Sequence, residues 1–282
     1  MTSVEILLDS VNTSGQSITT WKLTTARIIL AEINTHRTLS KNTSSSRAIP
    51  AKRLIENTRK NPFIPTYWGK NEPGMKASNQ LDDVAIDRVK ESWIGALDNA
   101  IDSVEFLSNN NLHKQLACRL IEPWAHITMI MTATNLENFF ALRAHPDAQP
   151  EFQELAYKML EVYNNSIPVL KKDGEWHIPF GDKMPDGIEF AQKLKIATAR
   201  CARTSYLTFD GEINPTKDYE LHDSLLASGH MSPFEHCAYA TPDVHSGNFY
   251  GWTQYRKTIA GEEKTEPRLA KRKATIKKLI DN

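Results

Sequence analysis

The sequence predicts a chain that mixes short strands with long helices, and three observations carry that reading. Val4-Glu5-Ile6-Leu7-Leu8 and the stretch from Ser17 to Leu23 are strand-like runs joined by the turn-rich Asn12-Thr13-Ser14-Gly15. Leu81, Val84, Val89, Trp93, Leu97, Ile101, Val104 and Leu107 form one apolar stripe at helical spacing. Proline and glycine punctuate two segments, 60–79 and 171–187, which read as irregular loops.

The other elements follow in order. Thr24 or Thr25 caps a helix that carries Ile28, Ile29, Ala31 and Ile33 and runs to Arg37, and the Ser/Thr/Asn-rich stretch after it reads as a loop up to Pro50. Helices are expected over Lys114–Ile121, Trp124–Arg143 and Glu151–Tyr163. The second is apolar over most of its surface, which predicts burial between other elements. Beyond the second loop, helices are expected over Phe190–Ala202 and Asp218–Leu226, then a short strand at Cys237–Thr241 and a helix at Phe249–Ile259. The loop at 171–187 is the natural place to divide the chain. The segment after it is short, however, and its chemistry needs the N-terminal part, so one domain over 1–282 is expected. Its basic tail, 264–282, reads as a solvated helix end, or else as a phosphate or partner contact.

Hydrophobic residues make up 40% of the 282 and charged ones 24%, ordinary for a globular chain long enough to bury a core without staples. The formal net charge is zero, so no global field attracts nucleic acid or an anionic membrane, and neither is expected as a partner. Cys118, Cys201 and Cys237 are odd in number and widely spaced. They suit neither a disulfide framework nor a zinc site. The start lacks a basic flank and a long apolar run, and no segment approaches the roughly 20 apolar residues of a membrane span. The expectation is a cytoplasmic protein.

Two polar clusters carry the chemistry. His36-Arg37 opens a stretch with hydroxyls at Ser40, Thr43, Ser44, Ser45 and Ser46, an amide at Asn42 and a second guanidinium at Arg47. Two arginines around a hydroxyl-rich turn suit a phosphate, although such stretches are often only solvated loops. Gly229-His230-Met231-Ser232-Pro233-Phe234-Glu235-His236 offers two imidazoles and a carboxylate. It reads as a turn before a strand, or as a metal site. Pro233 and the spacing do not fit a helical histidine pair, and no metal is expected.

Taken together, these stretches resemble the flavin-dependent thymidylate synthases. His36, Arg37, Ser40, Asn42, Ser45 and Arg47 match that family's His-Arg-x-x-Ser-x-Asn-x-x-Ser-x-Arg signature. Arg119 to Pro123, Asn135 to Gln149, Ala202-Arg203-Thr204-Ser205-Tyr206 and Gly229 to His236 resemble its other elements. The resemblance implies an α+β fold, a twisted, mostly antiparallel sheet wrapped by long helices, and a homotetramer with sites between subunits. It implies flavin (FAD) contacts from His36, Arg37, Asn42, Asn138, Ser205 and Ser232. It implies dUMP ligands in Ser45, Ser46, Arg47, Arg119 and Arg143, with His230 near nucleotide and folate. Ser45, Arg143 and His230 are the residues expected closest to the chemistry, Ser45 as an orienting ligand. In such enzymes methylenetetrahydrofolate supplies the carbon, NADPH the electrons, and no cysteine is needed. None of the three cysteines here has the Pro-Cys-His setting of the classical enzymes.

The chain departs from the family in order and in detail. The histidine-rich element comes last instead of first, as in a circular permutation. Thr35, Thr43 and Asp147 replace the family's Arg, Glu and His. Trp252 to Glu262 resembles a degenerate second copy of the signature's helix end, and Glu262 would then restore the carboxylate missing at Thr43. The alternative is ordinary C-terminal packing. The changed positions leave open a hydroxymethylase, a dCMP-acting relative or a non-catalytic flavin- or nucleotide-binding protein. A metal-dependent hydrolase built on His230, Glu235 and His236 is a further alternative.

Overall fold

The computed structural model describes residues 1–184, 186–204, 214–260 and 270–281. Strands β1 (Ser3–Asn12) and β2 (Ser17–Ala26) form the expected hairpin. β2 leads into a 3-10 turn, Arg27–Ile29, and the short helix α1 (Leu30–Ile33). Strand β3 (Ser40–Thr43), helices α2 (Ala51–Lys60), α3 (Asp83–Asn109) and α4 (Lys114–Ala117), and a 3-10 segment over Cys118–Trp124 come next. Then follow β4 (His126–Ala133), α5 (Glu137–Arg143), α6 (Pro150–Asn164), β5 (Val169–Lys171) and β6 (Trp176–His177). The C-terminal part holds α7 (Phe190–Arg203), α8 (Pro215–Ser228), a 3-10 turn Ser232–Glu235, β7 (Ala238–Ser246), β8 (Phe249–Gln254), a 3-10 turn Tyr255–Thr258 and α9 (Ala270–Ile280).

Five strands make one sheet in the order β3-β4-β2-β1-β5, antiparallel except for the β1–β5 edge pair. A second sheet runs β6-β7-β8. The architecture is the expected α+β mixture. Because side chains alternate across a strand, the large sheet has two different faces. One carries Trp21, Leu23, Met129 and Met131, which pack with Phe152, Leu155 and Met159 of α6 in the largest apolar cluster. The other meets the second sheet, where Ile18 packs with Ala238, Phe249 and Trp252. β8 crosses the β1–β2 turn so closely that a Cβ on Gly251 would collide with the Gln16 side chain. The Gly251 carbonyl accepts from Asn12 Nδ2 at 2.9 Å.

Three expected helices are corrected. The stretch 124–143 is β4 plus the short α5, because β4 is buried on both faces and its apolar run has no polar phase to mark it as a strand. The stretch 249–259 is β8 and a 3-10 turn, so Tyr255 and Arg256 end a hairpin and not a helix. The segment from Thr24 to Arg37 is strand as far as Ala26 and only briefly helical after it. Within the expected loop 38–50, Ser40–Thr43 pairs with β4, a strand with no apolar signature at all. Among the described residues, no helix is long and apolar enough to cross a membrane.

The long helix α3 stands as expected, but only Leu97, Ile101 and Val104 of its stripe are buried, while Val84 is exposed. Its start is fixed by Asp82, whose carboxylate accepts from the Ala85 amide at 2.9 Å. Asp82→Ala is expected to cost about 0.5–2 kcal/mol, read as a lower urea midpoint with an unchanged slope.

Candidate active site

The two polar clusters, far apart in sequence, meet. On β3 the alternation sends Ser40 and Asn42 to the face opposite Lys41 and Thr43. Against Ser40 and Asn42 lies the 3-10 turn that Pro233 opens. Asn42 Nδ2 donates to Ser232 Oγ at 3.2 Å, and Asn42 Oδ1 lies 2.8 Å from His236 Nε2. Ser40 Oγ donates to Glu235 Oε2 at 2.6 Å, and Arg256 donates to Oε1 at 2.7 Å. Glu235 thus binds both the signature strand and the turn following β8.

His36 is buried, with Phe139 and Phe152 edge-on to its ring. Its Nε2 accepts from Arg143 Nε at 2.9 Å, so the ring is neutral there, and burial, then Arg143 and Lys41, lower its pKa. The Arg143 guanidinium lies 4.6 Å over the Phe152 ring and 3.4 Å from Glu32. Lys41 Nζ donates to the His36 carbonyl at 2.8 Å and the Ile33 carbonyl at 3.2 Å. Burial and the nearby Arg37 lower it to about 8 against the opposing pull of Glu235.

A second group forms around Glu122. Its carboxylate takes the Ser46 hydroxyl, Arg27 at 3.0 Å and Arg119 at 2.8 Å. Arg27, Ile28, Leu30, Ala31, Asn34 and Arg119 line an open groove of roughly 500 Å³ beside it. Arg37 and Arg47 are exposed, as are Asn138 on α5 and Ser232; Ser45 is half-buried. His230 is exposed too, and its Nδ1 lies 2.7 Å from Ser228 Oγ. It does not join His236, whose two nitrogens face Asn42 and Thr132. Ser205 and Glu262 lie outside the described residues. Thr35 and Asp147 are exposed, Thr35 donating to the Glu32 carbonyl.

The structure therefore joins Asn42 with Ser232, His36 with Arg143, and Ser46 with Arg119 through Glu122. Sequence reasoning assigned no role to Glu122, Arg27, Thr132 or His177. Glu122 stands within the Arg119–Pro123 element, and its acidity between two arginines was the available signal. The three cysteines are buried and free; burial pushes Cys237 up to about 12 and raises the other two, leaving no reactive thiolate.

His177 and His236 are fully enclosed, and burial lowers each pKa to about 3. Between about pH 6.5 and 3 the unfolded chain binds protons on these rings and the folded chain does not. Their contribution is complete above pH 6.5 and lost as pH falls through that window. By pH 5 each ring is expected to remove on the order of 2 kcal/mol, seen as a falling urea midpoint between pH 7 and pH 5.

With this geometry in view, a family model described as thymidylate synthase complementing protein matches residues 15–169, more than half of the chain. Among solved structures, the chain is similar to a UMP/dUMP methylase from Streptomyces cacaoi bound with 5-bromo-UMP. The identity is 16%, the match covers 60% of this chain and 90% of that one, and the TM-score is 0.47. No curated protein sequence matches.

Proposed function

We propose, from the premise that this chain belongs to the thymidylate synthase complementing protein family, the flavin-dependent thymidylate synthases, that it methylates dUMP reductively to dTMP. Methylenetetrahydrofolate is the carbon donor and NADPH the reductant. The observation that carries the reading is the meeting of the two signature halves at Asn42, Ser232 and His236, despite their inverted order. One unit with permuted motifs is the simplest organisation that yields this contact.

The residues present fit a flavin. Asn42 spends one N–H on Ser232 and keeps a second, and the Ser232 hydroxyl proton is unspent. With the exposed Arg37 nearby in sequence, these donors suit ring carbonyls and phosphate oxygens. When bound, FAD supplies the redox chemistry. The chain's own residues bind and orient. Ser45, Ser46, Arg47, Arg119 and Arg143 hold the nucleotide, and an arginine near the base stabilises charge developing on its carbonyl. Asn138, Ser205 and His230 complete the flavin, nucleotide and folate contacts, and Glu262 is an added carboxylate. Exposed Arg37, Arg47, Asn138 and His230 are available to ligands of a neighbouring subunit's site, as in a homotetramer.

The test is direct. The purified protein is expected to show an oxidised-flavin spectrum and, given dUMP, methylenetetrahydrofolate and NADPH, to yield dTMP by mass. A hydroxymethylated product, or turnover of dCMP alone, would assign the other pyrimidine chemistry. Flavin without turnover would indicate a binding protein, and a colourless protein without flavin affinity would reject the proposal.

A further inference from the structure

A single file of hydrogen bonds crosses the large sheet from β1 to β3. Ser10 Oγ lies 2.9 Å from His177 Nδ1, and His177 Nε2 lies 2.9 Å from Thr20 Oγ1. Thr20 Oγ1 is 2.8 Å from Thr132 Oγ1, which is 2.8 Å from His236 Nδ1. His236 Nε2 then meets Asn42 Oδ1, and Asn42 Nδ2 meets Ser232. Ser10, Thr20, Thr132, His177 and His236 are completely buried. The file passes through β1, β2, β4 and β3, three inter-strand gaps or roughly 14 Å, with the two histidines as bridges.

Each member has one proton to give to this file, because a neutral imidazole carries one N–H and a hydroxyl one O–H. Thr20 and Thr132 have no third side-chain hydrogen-bond partner among the described residues, so neither can accept from both sides and send its proton elsewhere; the bonds all point the same way, and two arrangements remain. In one, Ser10 donates to His177 and every later member donates toward Ser232. In the other, Ser232 donates to Asn42, the amide is turned over, and His177 donates to Ser10. The closed end decides between them. Ser10 Oγ has no other hydrogen-bond partner, side chain or backbone, among the described residues, so the second arrangement strands its hydroxyl proton in a dry interior. The first leaves only lone pairs unused, and buried donors without an acceptor are the rarer outcome in proteins.

We propose that Ser10, His177, Thr20, Thr132 and His236 are positioning residues whose one-way file fixes the Asn42 amide, so that the ligand meets two donors, an Asn42 N–H and the Ser232 hydroxyl. The matching ligand atom is then an acceptor oxygen. The file sets this polarity from the far side of the sheet, at a residue that touches no ligand. That the ligand is a flavin rests on the function proposed above; the direction of the file does not.

Two measurements test the two parts separately. Nitrogen-15 NMR of histidine-labelled protein, without ligand, is expected to show His177 and His236 both protonated at Nε2, from pH 5 to 8. Either ring protonated at Nδ1 overturns the file's direction, whether or not the protein binds flavin. FAD titration then compares Thr132→Val with Thr132→Ser. The valine keeps the shape and removes the proton donor to His236; the serine keeps the donor. FAD binding is expected to weaken at least 10-fold in the valine variant and to stay within 2-fold of wild type in the serine variant, each titrated at the same interval below its own melting temperature. Equal affinities in the two variants overturn the positioning role. If wild-type protein binds no FAD at all, the flavin reading fails, and the nitrogen spectra alone decide the file.

Discussion

Asp218→Ala is expected to lower the unfolding free energy by about 3–5 kcal/mol, among the largest losses any single polar substitution here would produce. Asp218 lies in the first turn of α8, packed against α7, and is almost fully buried. Its carboxylate holds Arg203 Nε at 2.8 Å and Arg200 Nε at 3.7 Å, and one terminal nitrogen of Arg200 has no hydrogen-bond partner among the described residues. Without the carboxylate, two guanidinium groups stay in a low-dielectric contact with no counter-charge among the described residues. The cost of that exceeds anything gained from removing the pair's own desolvation. Asp218→Asn, which keeps an acceptor but not the charge, is expected to fall between the two. Urea titration at pH 7 reads both. Because the pair is buried, the difference should persist in 0.5 M salt, where an exposed pair would be screened. A loss under 1 kcal/mol for the alanine variant would contradict this account.

Asn42→Ala is expected to weaken FAD binding by about 10–100-fold, equivalent to about 1.4–2.8 kcal/mol. The amide serves two partners in the protein and one in the proposed ligand, so its loss has two separable effects. In the protein, His236 Nε2 loses its acceptor in a fully enclosed position, which costs about 1–3 kcal/mol of stability. At the ligand, a donor disappears and Ser232 is no longer held. A melting curve measures the first effect and a flavin fluorescence titration the second. Unchanged FAD affinity with the expected stability loss would mean that Asn42 is a packing residue and that the flavin lies elsewhere.

Elements with a clear amphipathic phase or a strong boundary were legible in the sequence. α3, α6, α7 and the β1–β2 hairpin lie close to where the pattern puts them. β4 was not legible, because His126-Ile127-Thr128-Met129-Ile130-Met131-Thr132-Ala133 is apolar on both sides and period alone cannot tell a buried strand from a buried helix. Its β-branched Ile127, Thr128, Ile130 and Thr132 were the usable hint. β3 failed for the opposite reason: its four residues are polar, and the apolar pattern is what marks a strand. The candidate site was legible as two motifs, and the contact between them followed only from treating them as one signature. The supports were invisible. Thr20, Thr132, Ser10 and His177 are ordinary strand residues whose spacing says nothing until the sheet sets them side by side.

The contact between Asn42 and His236 also has a consequence in time. The two residues are 194 positions apart in the chain. At a synthesis rate of about 5–20 residues per second, Asn42 is added to the chain roughly 10–40 s before its partner is. Through that interval the face of the N-terminal sheet that carries Thr20 and Ser40, joined by Thr132 about halfway through, has neither water-excluding cover nor its final acceptors. Residues 232–254 are the ones that close it, and they are made only after all five strands of the large sheet, so the sheet is whole well before its cover exists.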